Sequence, residues 1–326
     1  RLKRVVLTDN KIKTLFSETP KAQLIGLIPP GTQASYVPPP EPQEGEEKKL
    51  GDGLTQAKED SSSSEASQAD PLRKTDLLEH LSSPLSYFAA LRTPTVEYMD
   101  LSGNAISAIP SFIGYFRRLT SVNLARNQLS VLPADFTQLP VLEELIIDSN
   151  YIYDLPPMKQ LKKLSWKTNG LKAGLWTTWN SKNVLPCLSA LTSLTYLDLS
   201  GNSIDQLPSS LIVIAKTIST LIIGSNALYQ IEGAEIAQFT ALSHLELYSN
   251  KLKALPAELF QLPLAHLDVS DNLLTVIPTP LNSIASTMRV LNLAKNQLKQ
   301  LPYNLLHQAD NLEGIFIKQK DIQPFN

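Results

Sequence analysis

One spacing of apolar residues runs the length of the chain. In Leu194–Pro208, LTYLDLSGNSIDQLP, three leucines stand eight, five and three places before Asn202, and Ile204, Leu207 and Pro208 follow it. The alternation of Leu197 and Leu199 predicts a short strand with both leucines on one face, ending where Asn202 turns the chain. Apolar residues at the same three offsets precede Asn104, Asn127, Asn150, Asn169, Asn226, Asn250, Asn272 and Asn296. A unit of this size cannot bury its apolar face alone, so the copies must stack. Two partial copies flank the series. Leu2, Val5 and Leu7 precede Asn10, and Leu312, Ile315 and Ile317 lead to Lys320 where Asn is expected.

The recurrent Asn has a physical reason. Its amide both donates and accepts, so it can satisfy backbone groups of its own and the neighbouring coil that would otherwise be buried unpaired. Six places after it stands Pro110, Pro133, Pro156, Pro208, Pro256, Pro278 or Pro302. Proline fixes the backbone where the chain leaves the strand, and is expected as the first residue of a helical turn. The Asn226 repeat has Glu232 there instead. The pattern LxxLxLxxNxIxxLP, over residues 94 to 320 and again in Arg1–Leu15, resembles leucine-rich repeats. Within these it is similar to the intracellular LxxLP class of Ras-associated scaffolds and plant intracellular relatives. The resemblance implies an α/β solenoid, a horseshoe with a concave parallel β-sheet and convex helical, 3-10 or irregular segments. It implies protein binding without naming a partner.

The spacing divides the chain. Residues 1–30 read as partial N-terminal repeat, with a degenerate strand at 24–28. Residues 31–70, rich in Pro, Glu and Ser, carry too few apolar side chains to offset their ordering entropy and read as a disordered insertion. Residues 71–326 read as the solenoid, entered through a helix over Leu72 to Phe88 that is interrupted near Pro84. Two repeats are off length: Asn150 to Asn169 is short at 19 residues, and Asn169 to Asn202 is long at 33. The enlarged stretch, 170–193, carries Trp176, Trp179 and Cys187. Both tryptophans are candidate partner contacts, or else fold back over the gap left by the short repeat.

The strand positions between the leucines project outwards from such a sheet and form columns. Six places before each Asn stand, among others, Tyr98, Lys163, Tyr196, His244 and His266; four before stand Asp100, Asp198, Glu246 and Asp268; two before, Lys167 and Tyr248. Tyr196, Asp198, His244, Glu246, Tyr248, His266 and Asp268 form an acidic and aromatic stretch late in the arc, suited to a protein partner, including one with a basic surface. Lys162, Lys163 and Lys167 make a basic spot at the short repeat. His244 and His266 with Glu246 and Asp268 are the one constellation with metal-ligand chemistry. An open sheet rather than a pocket favours reading them as binding-face residues, so no metal is assigned.

Composition narrows the function. A net charge of -2 and pI near 6.1 argue against nucleic-acid binding. One cysteine excludes an intrachain disulfide, and no Asn begins an Asn-x-Ser/Thr acceptor; both point to an intracellular, cytoplasmic setting. No run is long enough to span a membrane. No glycine-rich phosphate loop, HExxH or CxxC occurs, so neither catalysis nor a cofactor is expected. Within the insertion, Pro39–Pro42 fits PxxP and Ser61–Ser64 precedes Glu65, a pattern for an acid-directed kinase. The leading expectation is a non-catalytic interaction scaffold binding on its concave face. The chain opens at Arg1 in mid-strand, which reads as a fragment or processed product, so the recognition segment of a larger signalling enzyme is a second expectation. An architectural subunit of a large assembly is a third.

Overall fold

A computed structural model describes residues 3–9, 95–171, 186–278, 287–301 and 311–317. They form one open sheet of 11 parallel strands in strict chain order. The strands are β1 Arg4–Val6, β2 Tyr98–Asp100, β3 Ser121–Asn123, β4 Glu144–Ile146, β5 Lys163–Ser165, β6 Tyr196–Asp198, β7 Thr220–Ile222, β8 His244–Glu246, β9 His266–Asp268, β10 Val290–Asn292 and β11 Gly314–Phe316. The architecture is the leucine-rich repeat solenoid that the spacing predicts.

Register follows the repeat without slip. Leu197 pairs with Leu164 on one side and Leu221 on the other, and Leu245 with Leu267. The apolar residues eight, five and three places before each of the nine Asn are all buried, none above 6 % exposed. A one-residue slip would expose a whole set, at about 1.5–3 kcal/mol for each large side chain. The long 33-residue spacing does not disturb the sheet, since β5 and β6 pair directly. β1 likewise pairs directly with β2, Val5 opposite Met99; the degenerate strand expected at 24–28 lies outside the described residues. The helix expected over 71–88 and the insertion lie outside the described residues.

The Asn ladder runs through the described coils from Asn104 to Asn296. Asn127 Nδ2 donates to Leu101 O of the preceding coil and Leu124 O of its own, each at 2.9 Å, while its Oδ1 accepts the Ile106 N–H at 3.0 Å. Asn202 does more. It donates to Trp166 O and Leu199 O, and its Oδ1 accepts both Asn169 N–H and Leu171 N–H. The residue before each of these Asn is left-handed, with φ between 51° and 69° from Gly103 to Lys295. Only Gly103 and Gly201 are glycines; elsewhere an ordinary residue, even the β-branched Thr168, takes a conformation that costs it about 1–2 kcal/mol.

On the convex side, proline acts one place earlier than expected. Pro110, Pro133, Pro208 and Pro256 are extended, with ψ between 125° and 155°, and each precedes a short 3-10 turn as its N-cap. The Glu232 repeat instead carries a short α-helix, Gly233–Ile236. The 19-residue repeat has no helical turn on its convex side, and the space is filled by Met158 and the fully buried Trp166, whose indole N–H donates to Ile152 O at 3.0 Å. Trp176 and Trp179, expected either to contact a partner or to cover this gap, lie outside the described residues.

Replacing Asn202 by Ala strands buried partners in two coils and is expected to cost about 3 kcal/mol, against about 1 kcal/mol for the half-buried Asn226. Urea denaturation of both variants, followed by circular dichroism, measures the difference.

Candidate functional site

The concave face consists of the residues that flank the central strand leucine and those two places beyond. Their environments separate them into two kinds.

The Asp and Asn residues four places before the repeat Asn serve the backbone. Asp100, Asn123, Asp198, Asp268 and Asn292 each accept, through Oδ1, the N–H two residues on, at 2.8–3.2 Å. Their short side chains cap the end of the strand. Asp198 goes further and is 1 % exposed. Its carboxylate takes Ser200 N–H at 3.0 Å, Ser200 Oγ–H at 2.6 Å, Lys167 Nζ at 2.9 Å and Tyr196 O–H at 3.4 Å. Asp198 thus lies on the concave side with its carboxylate taken up by these contacts. Burial opposes the charge of Lys167, but the Asp198 hydrogen bond and charge outweigh it, and the ammonium titrates above its ordinary range. The basic spot and the acidic column therefore neutralise one another at mid-arc. Lys163 likewise pairs with Glu144 at 2.8 Å and lies over the Tyr196 ring.

Glu246 breaks this rule, being one methylene longer than the Asp that suits the cap. Its Oε1 lies 2.7 Å from His244 Nε2 instead. His244 and His266, in register on β8 and β9, stack with centroids 4.2 Å apart and planes 10° from parallel. Burial, and then the neighbouring His244 charge, lower the His266 pKa below its ordinary value, with Glu246 and Asp268 opposing in part. Two places beyond, Tyr248 lies across Gly224, where a Cβ would come within 2.3 Å of its ring. Bare backbone there is the platform for the phenol. Asp268 is shared: its other oxygen accepts Asn292 Nδ2 at 2.8 Å. The half-buried side chains His244, Glu246, Tyr248 and His266 thus come together on two strands, with Tyr196 two strands away and Asp268 as an edge.

Sequence reasoning missed the caps, the Lys167–Asp198 pair and the Gly224 platform. The signals were in the columns: Asp and Asn alternate at one offset, and a lone Gly stands beside Tyr248. Cys187 is buried, and burial followed by the Asp154 charge pushes its thiol up to about 12, so it is no nucleophile.

Comparison with known proteins agrees with the fold. Leucine rich repeat family models match residues 94–152 and 193–213. These matches and the sheet agree on leucine-rich repeats as the repeating unit over those residues. Mouse leucine-rich repeat serine/threonine-protein kinase 1 is 30% identical over 216 residues, 63% of this chain and 10% of that protein. Mouse podocan is 26% identical over 274 residues, covering 69% of this chain and 44% of podocan. The chain therefore spans less than half the length of these relatives. Among solved structures, a leucine-rich repeat protein of Leptospira interrogans is 27% identical with a TM-score of 0.57, covering 68% of this chain and 54% of that one. No helix among the described residues is long and apolar enough to cross a membrane.

Two outcomes separate scaffold from surface. Asp198→Ala leaves Lys167 and the Ser200 N–H without their acceptor and is expected to cost about 2–3 kcal/mol, whereas Glu246→Ala costs less than about 1 kcal/mol; chemical denaturation of each compares them. Because folding lowers the His266 pKa, the unfolded chain takes up its proton first as the pH falls. Stability from this group is then lost below the ordinary imidazole value of about 6.5. His266→Asn should flatten that part of the stability profile, read from denaturation midpoints across the range.

Proposed function

We propose that the chain is a non-catalytic interaction scaffold that recognises a protein partner on its concave sheet. The observation that carries this reading is the patch of His244, Glu246, Tyr248 and His266, whose side chains are not consumed by the strand-end caps. Tyr196 and Asp268 extend it, Asp198 supports it from beneath, and Trp176 and Trp179 are a second contact region. Glu246 and Asp268 suit a basic or hydrogen-bonding surface, and the rigid parallel sheet presents them with little ordering cost. The LxxLP punctuation, the single buried cysteine and the lack of glycosylation acceptors support the intracellular, cytoplasmic class.

A second reading, the recognition segment of a larger signalling enzyme, draws support from the similarity to the leucine-rich repeat kinase, of which the chain matches a tenth. A catalytic domain in the full reading frame would favour it.

The test uses the chain as bait, with a Glu246→Lys/Tyr248→Ala variant beside it. Mass spectrometry of the captured proteins should show a set that the variant loses while its circular dichroism is unchanged. Equal recovery by both baits would overturn the concave patch as the binding surface.

A further inference from the structure

His244, Glu246 and His266 form a donor set that is set apart from the rest of the sheet. One ligand atom from each lies within 4.8 Å of the other two. Their placement comes from the fold. Leu245 and Leu267 are buried opposite one another, so the residues flanking them emerge on the concave side of adjacent strands in register. Where Asp or Asn would cap the strand end, Glu246 reaches sideways to His244. No hydrogen bond among the described residues engages the His266 ring, which stacks on the face of His244. Two imidazoles are thus held face to face beside a carboxylate, and one of them has no hydrogen bond to the other described residues.

We propose that His244, Glu246 and His266 bind a divalent transition-metal ion of the zinc type across β8 and β9. The two imidazole nitrogens favour a zinc-type ion over calcium or magnesium, which take oxygen donors, and zinc also accepts the one carboxylate oxygen. Metal–nitrogen distances of about 2.0–2.1 Å require the donors to close from their present spread, which rotation of three half-buried side chains supplies without moving the strands. Ligation turns the parallel rings so that their lone pairs converge and gives His266 a polar partner. Asp268, which sequence pattern alone groups with the other three, stays out, because Ser270 N–H and Asn292 Nδ2 hold its oxygens. Its charge still favours a cation nearby. Three protein ligands leave a fourth position facing the concave surface, open to water or to a side chain of a docked protein. The proposal is independent of the partner-binding reading and has its own readout.

The experiment titrates the metal-free full chain with cobalt(II) near neutral pH and then with zinc(II). One equivalent of cobalt should give the strong visible absorption of four-coordinate cobalt, and one equivalent of zinc should remove it. The chain has four histidines, so His80→Gln/His307→Gln should keep this spectrum, while His244→Gln/His266→Gln should lose it. Glu246→Gln, which leaves the backbone and the His pair intact, should weaken zinc at least about tenfold and decides the matter should the double histidine variant not fold. Zinc should also raise the melting temperature of the wild type and not that of the Glu246 variant. A purely six-coordinate cobalt spectrum, or zinc affinity unchanged by Glu246→Gln, overturns the site.

Discussion

The structure depends on the repeat asparagine. Parallel strands of three residues supply few backbone hydrogen bonds, and the chain must then leave the sheet through a left-handed residue. That turn buries carbonyl and N–H groups of two coils at once. The Asn amide answers both, donating to carbonyls of its own and the preceding coil and accepting an N–H of the preceding coil. Its geometry therefore over-determines the strained turn before it, which is why Arg126, Thr168 and Lys295 can stand where glycine would be easiest.

Once the asparagines set the pitch, the coils between them can vary. The short repeat gives up its convex helical turn and substitutes the volume of Trp166; the long one adds residues without shifting Leu164 from Leu197. The Glu232 repeat exchanges a proline-led 3-10 turn for an α-helical one. A solenoid tolerates such changes because each coil contacts only its neighbours, so a local alteration is not transmitted to the sheet.

The concave face shows a second constraint laid over the first. Outward positions are not all free, because strand ends in a parallel sheet leave N–H groups that a short Asx side chain caps at 2.8–3.2 Å. Asp198 and Asp268 serve this purpose within the chain itself. Glu246, too long for it, is released to the histidines. The chemistry of the face is thus concentrated where the capping rule lapses.

The apolar spacing alone determined the parallel strands, their order and register, the buried set and the Asn turn, since local periodicity and the need to bury each coil on the next leave one arrangement. The columns were legible too, including the alignment of His244 with His266. Which outward residues remain available was decided only by tertiary structure. Asp198 and Glu246 occupy equivalent places, and nothing in their spacing says that one is sealed under Lys167 and Ser200 while the other faces an imidazole. That difference arises from side-chain length and from neighbours brought in by adjacent coils, distant in sequence and close only in the folded sheet.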